Sequence, residues 1–145
     1  MARTERVIAT TPERIFAVLS DADSYGDWVV GSDTIRDADP GWPAVGTRFH
    51  HRVGWGPLKI DDHTEVVDAD PPHCLQLRAK ARPLGTASVT LRLAPERDGT
   101  RVTMIEDAGD KLTMLVFNPL THLIVRGRNA ESLRRLDRLA TGRRA

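Results

Sequence analysis

Three ionisable residues occupy positions where the alternation of side chains predicts an apolar face of a β-sheet: His51, Asp62 and Glu106. Burying an unpaired carboxylate costs several kcal/mol, so each of these carboxylates must be paired, neutralised or placed beside a wet cavity. The three residues therefore predict either acid–base chemistry or polar anchors within an apolar pocket.

Two interpretations stay open for each group. His51 can act as a general base whose tautomer is set by Asp62, or the two can form a hydrogen-bonded pair that satisfies two half-buried groups. Glu106 can act as an acid or base in apolar surroundings, or it can form an ion pair with a cation from the last helix, for which Arg126 and Arg128 are candidates.

The relative position of His51 and Asp62 depends on the turn that joins their strands. A symmetric loop centred on Trp55 would pair Phe49 with Asp62 and make His51 a diagonal neighbour of Asp62. Their Cα atoms would then lie roughly 7–8 Å apart, within side-chain reach.

A second hairpin determines which way Glu106 points. The dipeptide Asp98-Gly99 is typical of a type I′ turn, in which both central residues have positive φ. This turn would pair Leu91 with Glu106, so the carboxylate should point inward.

The elements that carry these residues are mostly strands. The first strand is followed by two short helices, opened by Thr11-Pro12 and by Asp21. Short connections such as Asp70-Pro71-Pro72 make neighbouring strands antiparallel. We expect strands at about 3–9, around Ile35, and at about 46–53, 58–67, 73–82, 86–95 and 101–108.

The last helical segment runs from Asn118 to about Leu139. Asn118 is a favourable N-cap, Pro119 suits the first helical position, and Gly142 lies where a helix stop is expected. Roughly 22 residues would span about 33 Å, enough to cross a small domain. The predicted fold class is α+β: an antiparallel sheet of about seven strands wrapped around this long helix.

Space between the sheet and the helix is predicted by small inward-facing residues such as Ala79, Ala81 and Ala87. A concave apolar site with a few convergent polar groups is the usual anatomy of a small-molecule pocket. The predicted cavity-lining residues are Trp28, Phe49, Thr64, Leu77, Ala79, Val89, Leu91, Met104, Phe117, Leu120 and Ile124.

Composition bounds the class of protein. The 145 residues predict a single domain, 1–145, with a net charge of +1, which argues against nucleic-acid binding. No segment approaches the ~18 apolar residues of a membrane span, and no signal peptide is evident. Cys74 is the single cysteine, so we expect a reducing cytoplasm and no internal disulfide.

Neither a metal nor a conventional cofactor is predicted. Several potential ligands cluster in the sequence, but no spacing matches a zinc motif, and His50 and His51 should point to opposite faces of one strand. No phosphate-binding glycine loop, nucleophile elbow or nucleotide fingerprint is present.

Five stretches together resemble the helix-grip fold of the SRPBCC superfamily, also called START-like or polyketide cyclase/dehydrase-like, in its bacterial branch. They are IATTPERIFAVLSDADSYGDW, VGTRF, VVDADPP, LAPERDGTRVTMIED and RNAESLRRLDRLA, and they are distributed over nearly the whole chain. The resemblance implies a deep cavity for lipids, polyketides or other small hydrophobic molecules. It carries over no shared catalytic motif.

Three functions follow as hypotheses. The first is binding of a small hydrophobic molecule for carriage or sensing. The second is a polyketide cyclase/dehydratase-like enzyme that uses His51, Asp62 and Glu106. The third is a protein-interaction module without a ligand. The chain is expected to be a monomer or a homodimer.

Overall fold

The structure, a computed structural model, describes the backbone of residues 2–29, 32–55, 58–81, 85–108 and 119–142. Side chains are described for residues 3–29, 37–50, 63–79, 86–107 and 127–142.

Seven strands and three α-helices make up the described chain. In order they are β1 (Ala2–Ile8), α1 (Pro12–Leu19), a short 3₁₀ turn (Ala22–Ser24), α2 (Tyr25–Trp28), β2 (Ser32–Ala38), β3 (Arg48–Trp55), β4 (Leu58–Asp70), β5 (Cys74–Ala81), β6 (Gly85–Glu96), β7 (Gly99–Ala108) and α3 (Pro119–Thr141). The strands form one antiparallel sheet in the order β1-β7-β6-β5-β4-β3-β2. The predicted fold class is therefore confirmed.

Capping explains where the helices begin and end. The Thr11 hydroxyl accepts a hydrogen bond from the Arg14 amide at 3.3 Å, and the Asp21 carboxylate accepts one from the Asp23 amide at 3.1 Å. Gly142 follows α3 with φ +72°, the left-handed conformation expected just past a helix end. The predicted N-cap of α3, Asn118, lies outside the described residues.

The core is closed where α1 and the second half of α3 pack against the sheet. Ile15 and Leu19 of α1 are fully buried, as are Leu133 and Leu136 of α3. An ion pair joins α3 to β1, because the Arg6 Nε donates to the Asp137 Oδ2 at 2.8 Å. Apolar packing and this polar contact together hold the second half of α3 to the β1 end of the sheet.

The predicted register between β3 and β4 is wrong by two residues. His51 pairs directly with Asp62, and Phe49 pairs with Thr64. The reason is that β3 continues through Trp55, which pairs with Leu58 and so belongs to the strand rather than to the centre of the loop. A shift of two positions keeps the alternation of faces.

The hairpin between β6 and β7 differs from its prediction in the same way. Glu96 pairs with Gly99, which leaves Arg97 and Asp98 as the connecting residues, and Glu106 pairs with Val89 instead of Leu91. The turn is not type I′, because Arg97 and Asp98, like the other described residues that are not glycine, lack positive φ.

Gly99 lies where β7 passes very close to β1. Its φ is +153°, and a Cβ built on it would lie 2.1 Å from the carbonyl oxygen of Ile8 in β1. The absence of a side chain therefore lets the start of β7 pass against the end of β1.

Strand β2 forms one edge of the sheet and pairs irregularly. Its pairing with β3 shifts register between Ser32 and Thr34, and again between Ile35 and Asp37. Each irregularity interrupts the regular ladder of backbone hydrogen bonds.

We predict that Gly99→Ala lowers the free energy of unfolding by about 2–4 kcal/mol, because the new Cβ combines a disfavoured φ with a clash against backbone. Gly41→Ala is the matched control, since Gly41 has φ +89° but a Cβ added there would meet nothing within 4 Å; it should cost only about 1–2 kcal/mol. Urea denaturation measures both, and equal losses would contradict the close-approach explanation.

Candidate functional site

A buried carboxylate of the sheet is held by two adjacent residues of α3. Both oxygens of Glu106 accept hydrogen bonds from the Arg128 Nη2, at 2.6 and 2.7 Å. The Asn129 Nδ2 donates to the Glu106 Oε2 at 2.9 Å. The expected inward orientation of Glu106 and its ion pair with a helix cation are thus present, with Arg128 as the partner.

The two partners differ in their exposure to solvent. The Glu106 side chain is 8% exposed, whereas the Arg128 side chain is 40% exposed. Asn129 is buried. The carboxylate therefore lies in the protein while the guanidinium reaches outward, so this polar cluster (Glu106, Arg128 and Asn129) sits at a boundary of the core.

That boundary is visible along the inner face of the sheet. Toward one end, Leu75 and Leu91 are fully buried. Toward the other end of the same two strands, the residues on this face are only partly buried, namely Ala79, Ala87 and Val89. Glu106 pairs with Val89, so the polar cluster lies where the closed part of the inner face gives way to the more open part.

His51 and Asp62 are brought together by the strand register. They are directly opposite each other on β3 and β4, one alternate position beyond the pair of Phe49 and Thr64. The structure does not describe their side chains, so the roles predicted for them remain predictions.

Four aromatic residues form a cluster where α2 meets the strands and the β2–β3 connection. Tyr25 contacts Trp28, Trp42 and Phe49, with ring centroids 5.1, 5.7 and 4.9 Å apart. The carbonyl oxygen of Leu19, at the end of α1, accepts hydrogen bonds from the Tyr25 hydroxyl at 2.7 Å and the Trp42 Nε1 at 3.1 Å. Trp42 is thus a packing residue of this aromatic cluster.

Two members of the aromatic cluster, Trp28 and Phe49, are also predicted from the sequence to line the cavity. Trp28 is 1% exposed, and its Nε1 has no hydrogen-bond partner within the described part of the chain. An indole N–H left without an acceptor in the core costs about 1–3 kcal/mol. Trp28 nevertheless packs in the core beside Tyr25.

The other predicted cavity residues divide into two groups. Phe49, Thr64, Leu77, Leu91 and Met104 are buried, whereas Ala79 and Val89 are partly buried. The side chains of Phe117, Leu120 and Ile124 lie outside the described residues.

Sequence reasoning missed Asn129 and the double hydrogen bond to Leu19. Asn129 falls on the same helical stripe as Leu133, Leu136 and Ala140, and a polar residue on a buried stripe is a signal of a buried hydrogen bond. No local pattern indicates that Tyr25 and Trp42 share one acceptor, since Trp42 is far from Leu19 in the sequence.

Two groups of potential metal ligands or nucleophiles lie outside this site. Cys74 is half-buried on the strand face opposite Leu75, and burial raises the pKa of its thiol. His50 and His63 pair across β3 and β4 with ring centroids 6.2 Å apart. Among the described residues, no group of three or more His, Cys, Asp or Glu side chains is arranged to hold a metal ion.

An open depression of about 390 Å³ lies at a separate place, between the end of α1 and the β2–β3 connection. Its lining is apolar and comprises Phe16, Ser20, Pro43, Ala44, Val45, Ala69 and Pro71. It contains no ionisable side chain among these residues, so it offers apolar contact without a charged group to orient a ligand.

The sheet, its short helices and the long C-terminal helix define a helix-grip protein with a polar cluster at the edge of its core. The sequence model of the family described as polyketide cyclase / dehydrase and lipid transport matches residues 2–141. The chain belongs to this family. None of the helices within the described ranges is long and apolar enough to cross a membrane.

Solved structures of the same fold come from several bacteria. A protein from Rhodobacter sphaeroides is 22% identical, with a TM-score of 0.74 over 98% of this chain and 92% of that one. A protein from Thermus thermophilus is 18% identical, with a TM-score of 0.73 over 97% of each chain. No curated protein matches the sequence.

A third similar structure is the di-domain ARO/CYC protein StfQ from the steffimycin biosynthetic pathway. It is 13% identical, with a TM-score of 0.71 over 97% of this chain and 50% of that one. At these identities the similarities establish the fold.

We predict that the contact between Glu106 and Arg128 stabilises the fold. Arg128→Met should lower the free energy of unfolding by about 1–3 kcal/mol, less than for a fully buried pair because the guanidinium is half-exposed. Glu106→Gln keeps the shape of the side chain and should cost less. In a double-mutant cycle followed by urea denaturation, a coupling energy of about 1 kcal/mol or more is expected. Strictly additive losses would contradict the pairing.

We predict a loss of stability at alkaline pH from Tyr25, the single tyrosine in the chain. Burial raises the pKa of Tyr25 well above its usual range, so the folded state keeps the phenol neutral. Its contribution is complete below about pH 10, the unfolded value, and is lost as the pH rises above it, by up to about 1.4 kcal/mol at pH 11.

The measurement is ultraviolet absorbance of phenolate together with circular dichroism during an alkaline titration. Phenolate should form only as the protein unfolds. Tyr25→Phe is the control, which should lose about 1 kcal/mol at neutral pH with the hydroxyl hydrogen bond but lose less than wild type between pH 9 and 11. Phenolate formation in the folded protein would show that the phenol is not buried.

Proposed function

We propose that this protein binds a small hydrophobic molecule between the sheet and α3, for carriage or sensing. The family description includes lipid transport, and the fold is the helix-grip fold. The proposed lining is the predicted set, with the partly buried Val89 and Ala79 at its centre.

The observation that carries this proposal is the uneven burial of the inner face. Val89 and Ala79 are partly exposed, while Leu77 and Leu91, their neighbours on the same face, are buried. An apolar inner face that stays partly accessible beside a fixed polar group is the usual anatomy of a ligand site. A hydrophobic ligand would gain about 25 cal/mol for each Å² of apolar surface that it covers there.

The second candidate is an enzyme of the cyclase/dehydratase kind. The direct pairing of His51 with Asp62 in the strand register favours it, since residues at opposite positions of neighbouring strands are close enough for a carboxylate to orient an imidazole as a base. The similarity of the fold to the di-domain ARO/CYC protein is consistent with it. Retained turnover of a polyketide-like substrate in both His51→Ala and Glu106→Ala would remove this assignment.

The hydrogen bonds of Glu106 favour binding over catalysis. Both of its oxygens are engaged by Arg128, and one also accepts from Asn129. A proton transfer through this carboxylate would first require the ion pair to open. A fixed, paired carboxylate is better suited to orient a neighbouring group than to exchange protons.

Several further features complete the proposal. We expect a single domain over residues 1–145 that works in the cytoplasm as a monomer or homodimer, without nucleic acid or a bound cofactor. A protein-interaction module without a ligand is the remaining alternative. Native mass spectrometry of the purified protein distinguishes a ligand-binding protein from an interaction module without a ligand. A co-purified lipid or aromatic compound would support ligand binding and identify the ligand class.

We predict that Val89→Trp blocks ligand binding. The indole would fill the partly open inner face, so the stabilisation that apolar ligands give wild type, about 2.7 kcal/mol at a hundredfold excess over Kd, should disappear. Thr90→Trp is the matched control, because Thr90 is the next residue of β6 and faces the other side of the sheet.

The measurement is the melting temperature of each variant with a panel of fatty acids, fatty alcohols and aromatic polyketides. Thr90→Trp should respond to ligand as wild type does. Equal ligand responses in the two variants would place the binding site elsewhere, and the depression beside Phe16 would then be the next place to test.

A further inference from the structure

We propose that the polar cluster of Glu106, Arg128 and Asn129 selects ligands whose polar end is an uncharged hydrogen-bond acceptor, a carbonyl or a hydroxyl group. This inference rests on the proposed ligand-binding function. It adds the chemical class of the ligand and the residues that recognise its head group.

The guanidinium of Arg128 is only partly occupied by Glu106. A guanidinium carries five N–H donors, and Nη2 of Arg128 donates to both oxygens of Glu106 and, at 3.5 Å, to the Asn129 Oδ1. Within the described side chains, no acceptor contacts its Nε or Nη1. Because the Arg128 side chain is 40% exposed, we infer that its Nε and Nη1 donors can reach a bound molecule.

The remaining donors lie beside the partly open inner face. Arg128 reaches from α3 to Glu106 on β7, and Glu106 pairs with Val89 of β6. Val89 is partly exposed on the inner face. The guanidinium is therefore fixed at the border of the apolar region that the hydrophobic part of a ligand would cover.

The polar cluster carries no net charge. Glu106 neutralises Arg128, and Asn129 is uncharged. A second carboxylate brought here would meet the buried charge of Glu106 and would give up its own hydration without a net attraction. A carbonyl or hydroxyl oxygen can accept from the guanidinium without that penalty.

Glu106 is thus a specificity-determining residue. It holds the guanidinium in place and cancels its charge, so removal of the carboxylate charge should convert the cluster from a site for neutral acceptors into a site for anions. The prediction is a reversal of preference rather than a simple loss of binding.

The experiment compares probes that share one alkyl chain: 1-decanol, 2-decanone, decanoate and decyltrimethylammonium. Dissociation constants are measured by calorimetry at pH 8 for wild type, Glu106→Gln and Arg128→Met. Glu5→Gln is the control for net charge, because Glu5 is also paired with an arginine, Arg101, at 3.2 Å, but lies on β1 and is exposed.

Wild type should bind decanol and decanone about tenfold more tightly than decanoate. Glu106→Gln should reverse this order, Arg128→Met should weaken the neutral acceptors about tenfold, and Glu5→Gln should change neither ratio. Decyltrimethylammonium, which accepts no hydrogen bond, should bind most weakly to wild type.

The outcomes separate the two proposals. Binding that is equal for all head groups, or a ratio unchanged in Glu106→Gln, would overturn the head-group inference and leave ligand binding intact. If no probe binds wild type up to its solubility limit, the ligand-binding function fails together with this inference. Circular dichroism confirms that each variant is folded before its affinities are compared.

Discussion

The contact that the rest of the site depends on is the one between Glu106 of the sheet and Arg128 and Asn129 of α3. Three hydrogen bonds converge on a carboxylate that is almost fully buried. A buried charge of this kind requires its partners, so the position of the helix over the sheet and the burial of Glu106 are coupled. Farther along α3, the bond between Arg6 and Asp137 fixes the same helix to β1. The helix is thus tied to the sheet at two places, and the apolar contacts between them complete the attachment.

The interior is organised as a closed region and a more open one. The closed region is packed by Ile15 and Leu19 of α1 and by Leu133 and Leu136 of α3. Beside it, the aromatic cluster is anchored on the carbonyl of Leu19, which satisfies a group that the end of a helix would otherwise leave without a partner. This closely packed side contrasts with the inner face around Val89, which is only partly buried.

Much of the fold is predictable from the sequence, because alternation along strands and capping residues are local signals. Thr11-Pro12, Asp21 and Gly142 mark helix boundaries as expected. The pairing of strands is not predictable to the same degree. Alternation determines which face a residue such as Glu106 occupies, yet a shift of two residues leaves that pattern unchanged. The correct register depends on the geometry of turns, which a dipeptide alone does not determine. The helical stripe signals that Asn129 is buried, but its partner, and the acceptor that Tyr25 and Trp42 share at Leu19, depend on contacts between distant segments that no local pattern encodes.

The irregular pairing of β2 has a consequence for how copies of this protein meet at high concentration. The edge of a sheet presents free N–H and C=O groups that can recruit a strand from another molecule. In β2 the spacing of these groups is interrupted twice, between Ser32 and Thr34 and between Ile35 and Asp37. A straight incoming strand could form hydrogen bonds with only part of such an edge, because the spacing of its own N–H and C=O groups is regular. The β2 edge therefore opposes growth into continuous ribbons, whereas the opposite edge, β1, keeps a regular register from Ala2 to Ile8 and has no such protection.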